Sequence, residues 1–256
     1  MTKKTTANTR KRNKRRTPVL AEFSFEAESL PNHAYPALEA YHRDAWELSN
    51  SLDFPSIREE AWRRTSLRGL RTEEFSLPLR DEDFEGPSER LINPVLVGDV
   101  RGGQVVTGAI ETIQSLDPSL SEQGVIFTDF RTAEQDYPEL LNEFLGQIVT
   151  PDQDKFTALA AALAEDGTFL YVPKNVNIEQ PLHSLYWGAG ENKAYLNHIL
   201  IWLEEGAQAT FVHESASPSG RVEAQLFHDG IVEIHVGRNA KLNFVELQSW
   251  GKNVWS

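Results

Sequence analysis

The chain of 256 residues contains no cysteine. This absence excludes disulfide bonds, thiolate nucleophiles, zinc–cysteine sites and iron–sulfur clusters held by thiolates of this chain. A cluster bound near this protein would therefore need ligands from another chain. The absence also fits a reducing compartment, in which disulfides are rare.

The sequence has no long hydrophobic run either. A membrane-spanning helix needs roughly 20 consecutive apolar residues, and no segment comes close to this length. No apolar segment of the secretory type follows the first residues. We therefore predict a cytoplasmic protein that has no membrane partner.

Several catalytic motifs are missing. The sequence has no G-x-x-x-x-G-K-[ST] phosphate loop, no G-x-S-x-G nucleophile elbow and no H-E-x-x-H zinc motif. Acidic pairs such as Glu204 and Glu205 are common in so acidic a chain and do not indicate a glycosidase. We predict no catalytic, cofactor-binding or metal-ligating residue, and we do not expect an enzyme.

Basic residues are scarce outside the first sixteen positions. Residues 1–16 carry eight Lys or Arg and no acidic residue, so that 17 basic residues face 38 acidic ones in the rest of the chain, whose formal charge is −21. Such an acidic body repels phosphate backbones, and we predict no nucleic-acid partner. We interpret residues 1–16 as a solvated, disordered tail. An organelle transit peptide and a nucleic-acid contact made by the tail alone are the alternatives.

Two segments have helical periodicity. In 37–50, apolar residues recur at spacings of three and four, which predicts an amphipathic helix, and a second helix is expected after Pro55. Residues 154–167 return to this period, with Gly167 placed where a helix would end. A Val- and Ile-rich stretch, 93–110, indicates a small β unit between them.

From residue 168 onward the signals are almost only those of strands. We therefore predict three parts in this chain: a disordered basic tail at 1–20, a helical and mixed domain at 21–150, and a strand-rich domain at 151–256.

The strand-rich part repeats itself. Residues 199–212, ILIWLEEGAQATFV, align with residues 232–245, VEIHVGRNAKLNFV, at a shift of 33 positions. A fainter copy lies at 169–178, which is 31 positions earlier. Alternate residues are apolar in each strong copy, Phe211 and Phe244 among them, so this shared set is expected to face the interior.

Equivalent positions in the three copies carry Asn175, Gly206 and Asn239, the residue types that best tolerate left-handed backbone geometry. Each copy therefore reads as a strand, a tight corner and a second strand. A unit of about 30 residues with this plan buries its inward face only by stacking on its neighbours. The repeat predicts a mainly β fold, a β-solenoid, and leaves an antiparallel barrel or sandwich as the alternative.

Five of the seven histidines fall in this region, and His198, His213 and His228 are evenly spaced along the sequence. Because the repeat is about twice as long as this spacing, His198 and His213 should lie on opposite sides of a coil, and we predict no metal site from them. His213 and Glu246 are equivalent in successive copies. They are expected to stack about 5 Å apart on a solvated outer face.

Leu200 and Trp202 form an apolar pair on the outward parity of one repeat. Such a pair needs cover. We expect the N-terminal helices to provide it, and a partner subunit is the alternative.

Two long stretches have a recognisable pattern: DKFTALAAALAEDGTFLYVPKNVNIEQPL, which begins at residue 154, and GIVEIHVGRNAKLNFVELQSW, which begins at residue 230. Both resemble the SufB/SufD family of iron–sulfur cluster assembly proteins. REEAWRRTSL, at 58–67, is similar to the E-x-W-R-x-T element near the start of SufD in particular, with Arg64 where many relatives have Tyr. The resemblance covers residues 37–256.

This resemblance implies an N-terminal helical domain, a central right-handed parallel β-helix and a C-terminal helical domain that docks the SufC ABC-type ATPase. It implies a non-catalytic scaffold subunit that works with a SufB-like subunit and a SufC-like ATPase. The cluster would be assembled transiently on the full complex, and this chain alone would hold no cofactor. SufD proteins normally continue past residue 256, so the resemblance implies that the docking regions lie beyond it and transfers no functional residue.

A second hypothesis comes from another class of protein. A β-helical or cupin-like enzyme that acts on carbohydrate or on a metal-bound small molecule would have the same strand content. The sequence lacks the H-x-H element that a cupin normally shows before a later Glu.

Overall fold

The computed structural model describes residues 20–32, 35–79, 82–94, 100–218 and 224–256. The predicted basic tail at 1–16 lies outside the described residues. The helices are α1 (Pro36–Ser51), α2 (Glu89–Ile92), α3 (Pro118–Glu122), α4 (Phe130–Asp136), α5 (Pro138–Phe144) and α6 (Lys155–Leu163), with short 3₁₀ turns at Ala27–Ser29 and Thr72–Glu74. The strands are β1 (Gly103–Gly108), β2 (Ile113–Leu116), β3 (Ile126–Asp129), β4 (Asp166–Val172), β5 (Leu182–Trp187), β6 (Lys193–Leu203), β7 (Gln208–Ala216), β8 (Leu226–Val236), β9 (Lys241–Ser249) and β10 (Val254–Trp255).

The strands form two five-stranded sheets. One sheet has the order β2-β1-β5-β7-β9, and the other has the order β10-β8-β6-β4-β3. From β4 onward the chain alternates between the two sheets, and the pairs β4–β6, β5–β7, β6–β8 and β7–β9 are all parallel. The pairs β1–β2 and β3–β4 are antiparallel.

The prediction of a mainly β, right-handed parallel β-helix that follows a helical domain is wrong. The structure is a mixed α/β fold with two mixed sheets. The edge strand β2 of one sheet and the edge strand β3 of the other each run antiparallel to the neighbouring strand. Strands from before residue 150 also belong to these sheets, since β1 pairs with β5 and β3 pairs with β4. The alternative of an antiparallel barrel or sandwich fails too, because the central pairs are parallel.

The register that the repeat predicts is confirmed within these sheets. Ile201 pairs with Ile234 across β6 and β8, and Phe211 pairs with Phe244 across β7 and β9. The two phenyl rings stack with centroids 5.8 Å apart and planes 7° from parallel. The shift that aligns the two strong copies is therefore the register of neighbouring strands.

The three predicted corners have the expected backbone. Asn175, Gly206 and Asn239 all adopt positive φ, at 61°, 74° and 59°. Backbone hydrogen bonds connect successive corners, since the amide of Asn175 donates to the Glu205 carbonyl and that of Gly206 donates to the Arg238 carbonyl, each at 2.9 Å. The corners thus stack as the strands do.

Helix α6 packs against α1 and lies over the sheet that contains β6 and β8. Its N-cap Asp154 accepts a hydrogen bond from the Thr157 amide at 2.8 Å, which is the usual solution for an orphan amide in the first turn. Its run of alanines is fully buried, and small side chains of this kind let α1 approach closely. Lys155 donates to the carbonyls of Ser49 and Leu52 at the end of α1, where a cation also favours the helix dipole.

Two helix predictions need correction. The helix over 37–50 is confirmed as α1, but the residues after Pro55 form turns rather than a helix. Helix α6 ends at Leu163, and Gly167 lies inside β4 with φ of 142°. A Cβ atom at position 167 would overlap the His198 carbonyl, so this glycine permits close strand pairing instead of ending a helix.

Candidate functional site

The space between the sheets is apolar at one end and polar at the other. Near the corners it is filled by residues such as Ile201, Leu203 and Phe211, all fully buried. Towards the opposite end the alternation of the strands brings polar side chains inward. The polar set comprises Ser184, Tyr186, Tyr195, Asn197, His213, Ser215 and His228.

His213 is the centre of this polar set. One ring nitrogen, Nδ1, lies 2.6 Å from the Ser184 hydroxyl, and the other, Nε2, lies 2.9 Å from the Ser215 hydroxyl. Burial, together with the smaller effects of the nearby His228 and His183 rings, lowers the pKa of His213 to about 3. The ring therefore stays neutral at physiological pH, and its two nitrogens hydrogen-bond to two hydroxyl groups on either side of it.

His228 lies across from it on β8. Its ring centroid is 5.6 Å from that of Tyr186 and 4.7 Å from that of Trp250. The Nδ1 atom is 3.0 Å from the Ser256 hydroxyl, whereas Nε2 has no hydrogen-bond partner among the described residues. Burial lowers the pKa of His228 to about 4.

The sequence predictions for these histidines have different outcomes. His198 lies on the outer face of β6 and His213 on the inner face of β7, so the prediction that they do not converge is confirmed. The register of His213 with Glu246 is confirmed, but the solvated outer face is wrong, because His213 is buried between the sheets. Within the described ranges, no group of three or more His, Asp or Glu side chains is arranged to hold a metal ion.

Glu233 on β8 carries a buried carboxylate that is not among the residues predicted from the sequence. Its carboxylate accepts hydrogen bonds from the amides of Gly146, Ile148 and Val149 at 2.8, 2.8 and 3.0 Å, and it lies 2.9 Å from His198 Nε2. Burial acts to raise the pKa of Glu233, but the hydrogen bond and charge of His198 and the backbone amides outweigh it and hold the pKa below its usual value.

A signal for this site was present in the repeat. The positions equivalent to Glu233 on the two preceding strands are Leu200 and Phe169, both apolar and buried. A carboxylate in a column of apolar residues needs hydrogen-bond donors, because burying an unpaired charge costs free energy. Those donors come from the loop between α5 and α6, which is far from β8 in the sequence.

The outer face of β6 is covered by the chain's own helices, as predicted for Leu200 and Trp202. Leu200 is fully buried in a cluster with residues of α1, α4 and α5. Trp202 stacks between two rings: Phe144 at the end of α5 lies 4.0 Å from it, and His235 on β8 lies 3.9 Å from it. This stack connects the helical layer to two neighbouring strands.

An acidic cavity of about 990 Å³ opens beside the polar end of the sheets. Its aromatic lining residues are Phe84, Tyr186 and Tyr195. The acidic side chains on its wall are Glu28, Glu82, Asp83, Glu111, Glu165 and Asp166. Arg131 also lines the cavity. Acidic side chains therefore outnumber basic ones along its described wall.

The edge formed by β9 is open along the described part of the chain, since β9 pairs with β7 alone. Inward-facing residues on β8 and β9 are more exposed than their equivalents on β6 and β7. Val236 is 44% exposed whereas Leu203, its partner on β6, is fully buried. No helix among the described residues has the length and apolar character to cross a membrane.

Comparison with known proteins assigns this architecture to a family. Residues 14–183 match the family profile of the SufBD protein N-terminal region, and residues 186–256 match that of the SUF system FeS cluster assembly SufBD core domain. Iron–sulfur cluster assembly SufBD family proteins of Staphylococcus epidermidis and Staphylococcus haemolyticus are each 32% identical to this chain over 142 residues, and that of Staphylococcus aureus is 31% identical over the same length. The matched segment is 56% of this chain and 30% of each relative. The chain belongs to the SufBD family of iron–sulfur cluster assembly proteins.

Proposed function

We propose that this chain is a SufD-like, non-catalytic scaffold subunit of a SufBCD-type iron–sulfur cluster assembly complex in the cytoplasm. The observation that carries the proposal is the family match, in which the N-terminal and core regions of the family follow one another over residues 14–256. Because the matched segment is only 30% of the curated relatives, the activity and partners of the whole protein are part of the proposal.

The SufD assignment within the family rests on the element at residues 58–67. Its Trp62 stacks on Phe156 of α6, with ring centroids 5.4 Å apart. Phe156 in turn packs against Phe227 of β8 at 6.0 Å. The element therefore fastens the N-terminal segment to the sheets, which is a structural role suited to a scaffold.

The composition supports a division of roles within such a complex. With no cysteine in the chain, thiolate ligands for a transient cluster come from a SufB-like subunit. Nucleotide hydrolysis comes from a SufC-like ABC ATPase, because this sequence has no phosphate-binding loop. The chain supplies a rigid frame on which these parts meet.

Affinity purification from the native host tests the proposal. The protein is tagged at its own chromosomal locus, purified without oxygen, and its partners are identified by mass spectrometry. We expect a SufB-like subunit and an ABC ATPase in constant ratio, with iron–sulfur absorbance in the complex and none in the separated chain. Recovery of a clean monomer, while the other two subunits associate without it, would count against the proposal.

A variant pair from the structure makes this purification more specific. Glu233→Ala removes the carboxylate that holds the loop between α5 and α6, whereas Glu246→Gln changes a more exposed carboxylate on β9. If assembly depends on the frame, the first variant lowers the yield of the complex and the second does not.

A further inference from the structure

The hydrogen bonds of His213 leave one serine hydrogen without an acceptor. A neutral imidazole has one N–H donor and one acceptor nitrogen. Nδ1 of His213 lies 2.6 Å from the Ser184 hydroxyl, and Nε2 lies 2.9 Å from the Ser215 hydroxyl. The ring therefore accepts from one serine and donates to the other, and the second serine must direct its own hydrogen elsewhere. Neither hydroxyl has a further hydrogen-bond partner among the described residues.

This remaining hydrogen lies in the closed interior. Ser184 is 1% exposed, and Ser215 and His213 are each 3% exposed. A buried hydroxyl that loses its contact with solvent and gains no partner costs free energy. Native proteins therefore pair such groups with protein atoms or with ordered water. The interior needs an acceptor close to one of these two serines.

His228 on the facing sheet carries a second polar atom that needs a partner. Its Nδ1 lies 3.0 Å from the Ser256 hydroxyl, whereas its buried Nε2 has no hydrogen-bond partner in the described part of the chain. Burial is the main cause of the lowered pKa of His213, and the ring of His228 is the next. The two rings therefore lie within electrostatic range of each other across the interior.

Strand register shows which serine lies on the side of His228. Ser215 on β7 pairs with Tyr186 on β5, and both side chains face inward. The ring centroid of Tyr186 is 5.6 Å from that of His228. The tautomer of His213 that is protonated at Nε2 leaves the free hydrogen on Ser215, on this side of the ring.

Gly230 lets two polar atoms border the same small space. It pairs with Asn197 across β8 and β6, with both positions facing inward. A Cβ atom at position 230 would overlap Asn197 Oδ1 and would lie 3.4 Å from His228 Nε2. Asn197 is itself 2% exposed. The amide oxygen and the imidazole nitrogen are therefore both within reach of one small molecule.

The chemistry of these groups selects a neutral ligand. Burial lowers the pKa of His213 to about 3 and that of His228 to about 4, so both rings are uncharged at neutral pH. An ion in this space would have no opposite charge beside it, which is costly. A suitable ligand accepts a hydrogen bond from a hydroxyl and donates to a nitrogen and an amide oxygen. Water does this, and buried waters typically make about three hydrogen bonds.

We propose that the space between Ser215, Asn197 and His228 binds one water molecule, which bridges the two sheets. Ser184 donates to Nδ1 of His213, and Nε2 of His213 donates to Ser215. The Ser215 hydroxyl donates to the water, which in turn donates to His228 Nε2 and to Asn197 Oδ1. A continuous chain of hydrogen bonds thus crosses the interior from β5 to β8.

Nitrogen NMR of the imidazole rings in the full chain tests the positions of the protons. Each ring is identified by the loss of its signals in His213→Gln or His228→Gln. We expect His213 to be protonated at Nε2 alone and His228 at Nδ1 alone, so that His228 Nε2 is an acceptor. A proton on His228 Nε2 would remove the acceptor that the water needs and would overturn the proposal.

Deuteron relaxation dispersion of the solvent, which detects long-lived bound water, tests the site itself. Ser215→Val removes the hydroxyl and should lower the dispersion amplitude by the equivalent of one water molecule. The matched control, Ser215→Thr, has nearly the same shape as valine but keeps the hydroxyl, and it should retain the amplitude of the unsubstituted chain. An unchanged amplitude in Ser215→Val, or equal losses in the two variants, would overturn the proposal. The NMR measurement uses the unsubstituted ring environment, so it decides the matter even if Ser215→Val does not fold.

Discussion

Strands β6 and β8 carry the same pattern in the same register, yet they differ in burial. Leu203 on β6 is fully buried, whereas Val236, its partner on β8, is 44% exposed. Phe211 on β7 is fully buried, whereas Phe244 on β9 is only partly so. The difference lies in the neighbouring strands among the described residues. β6 and β7 have a strand on both sides, whereas β10 pairs only with Leu226 and Phe227 of β8, and β9 has a strand on one side. The repeat therefore specifies which residues face inward. The position of each strand in its sheet determines how deeply those residues are buried and how much they stabilise the fold.

The largest expected effect concerns the phenylalanine pair. Phe211→Ala should lower the free energy of unfolding by about 3–5 kcal/mol, since it leaves a cavity among fully buried neighbours. Phe244→Ala should cost less than half of that, because solvent already reaches its ring. Urea unfolding of both variants measures the difference. Equal losses in the free energy of unfolding would show that Phe211 and Phe244 are equally well packed.

The second comparison is between two outward positions in the same column. Glu233→Ala should lower the free energy of unfolding by about 3 kcal/mol, because three buried amides and His198 lose their acceptor. Leu200→Ala removes only apolar contacts with the helices. Hydrogen exchange should show faster opening of the 146–149 amides in Glu233→Ala alone. An unchanged exchange rate there would show that the carboxylate does not hold the loop.

The third prediction sets the polar end of the interior against the apolar end. The pKa values of His183, His213 and His228 are lowered to about 4, 3 and 4, mainly by burial. Their neutral forms therefore stabilise the fold above the unfolded pKa of about 6.5, and this stabilisation is lost as the pH falls below it. Together, the three histidines should lower the free energy of unfolding by about 2 kcal/mol as the pH falls from 7 to 6.

Unfolding free energies measured at a series of pH values check this prediction. His183→Gln should remove about a third of the pH dependence in this window. A slope that His183→Gln leaves intact in this window would contradict the buried neutral state of the His183 ring. The opposite contribution of Asp229, whose pKa burial raises, is present in both proteins and cancels in this comparison.

The smallest expected effect compares the corners. Asn239→Ala should cost about 1 kcal/mol, because alanine resists the positive φ at this position, whereas Asn239→Gly should be close to neutral. Gly206→Ala should cost more than Asn239→Ala, since its new Cβ would also meet the Asn175 side chain. Thermal unfolding of the three variants ranks them. Identical behaviour of alanine and glycine at 239 would argue against a left-handed corner.

Much of the inner architecture was predictable from the repeat. The shift between the two strong copies predicted the pairing of Phe211 with Phe244, and the residue types at 175, 206 and 239 predicted the corners. These features are predictable because side-chain alternation and left-handed geometry leave direct marks on residue choice. The cover over Leu200 and Trp202 followed from the same alternation.

The other features of the structure depend on contacts that leave little trace in the sequence. Strands β2 and β3 have four residues each and lie outside the repeat, so their antiparallel pairing, which makes the sheets mixed, had no periodic signal. Glu233 finds its donors in a loop that is remote from it in the sequence. His213 was misplaced because a polar residue was taken to face solvent, whereas serine hydroxyls on its own and the neighbouring strand satisfy it inside.

Hydrogen exchange of backbone amides along β7 and β9 tests the central comparison most directly. β7 has a paired strand on each side, so its amides should exchange slowly throughout 209–214. On β9 the Lys241 amide donates to the Ala207 carbonyl, and by the alternation of a parallel ladder the amides of 242, 244, 246 and 248 point away from β7. The account predicts fast exchange at these four positions and slow exchange at their neighbours 243, 245 and 247. Uniformly slow exchange along β9 would contradict an open edge and the burial gradient derived from it.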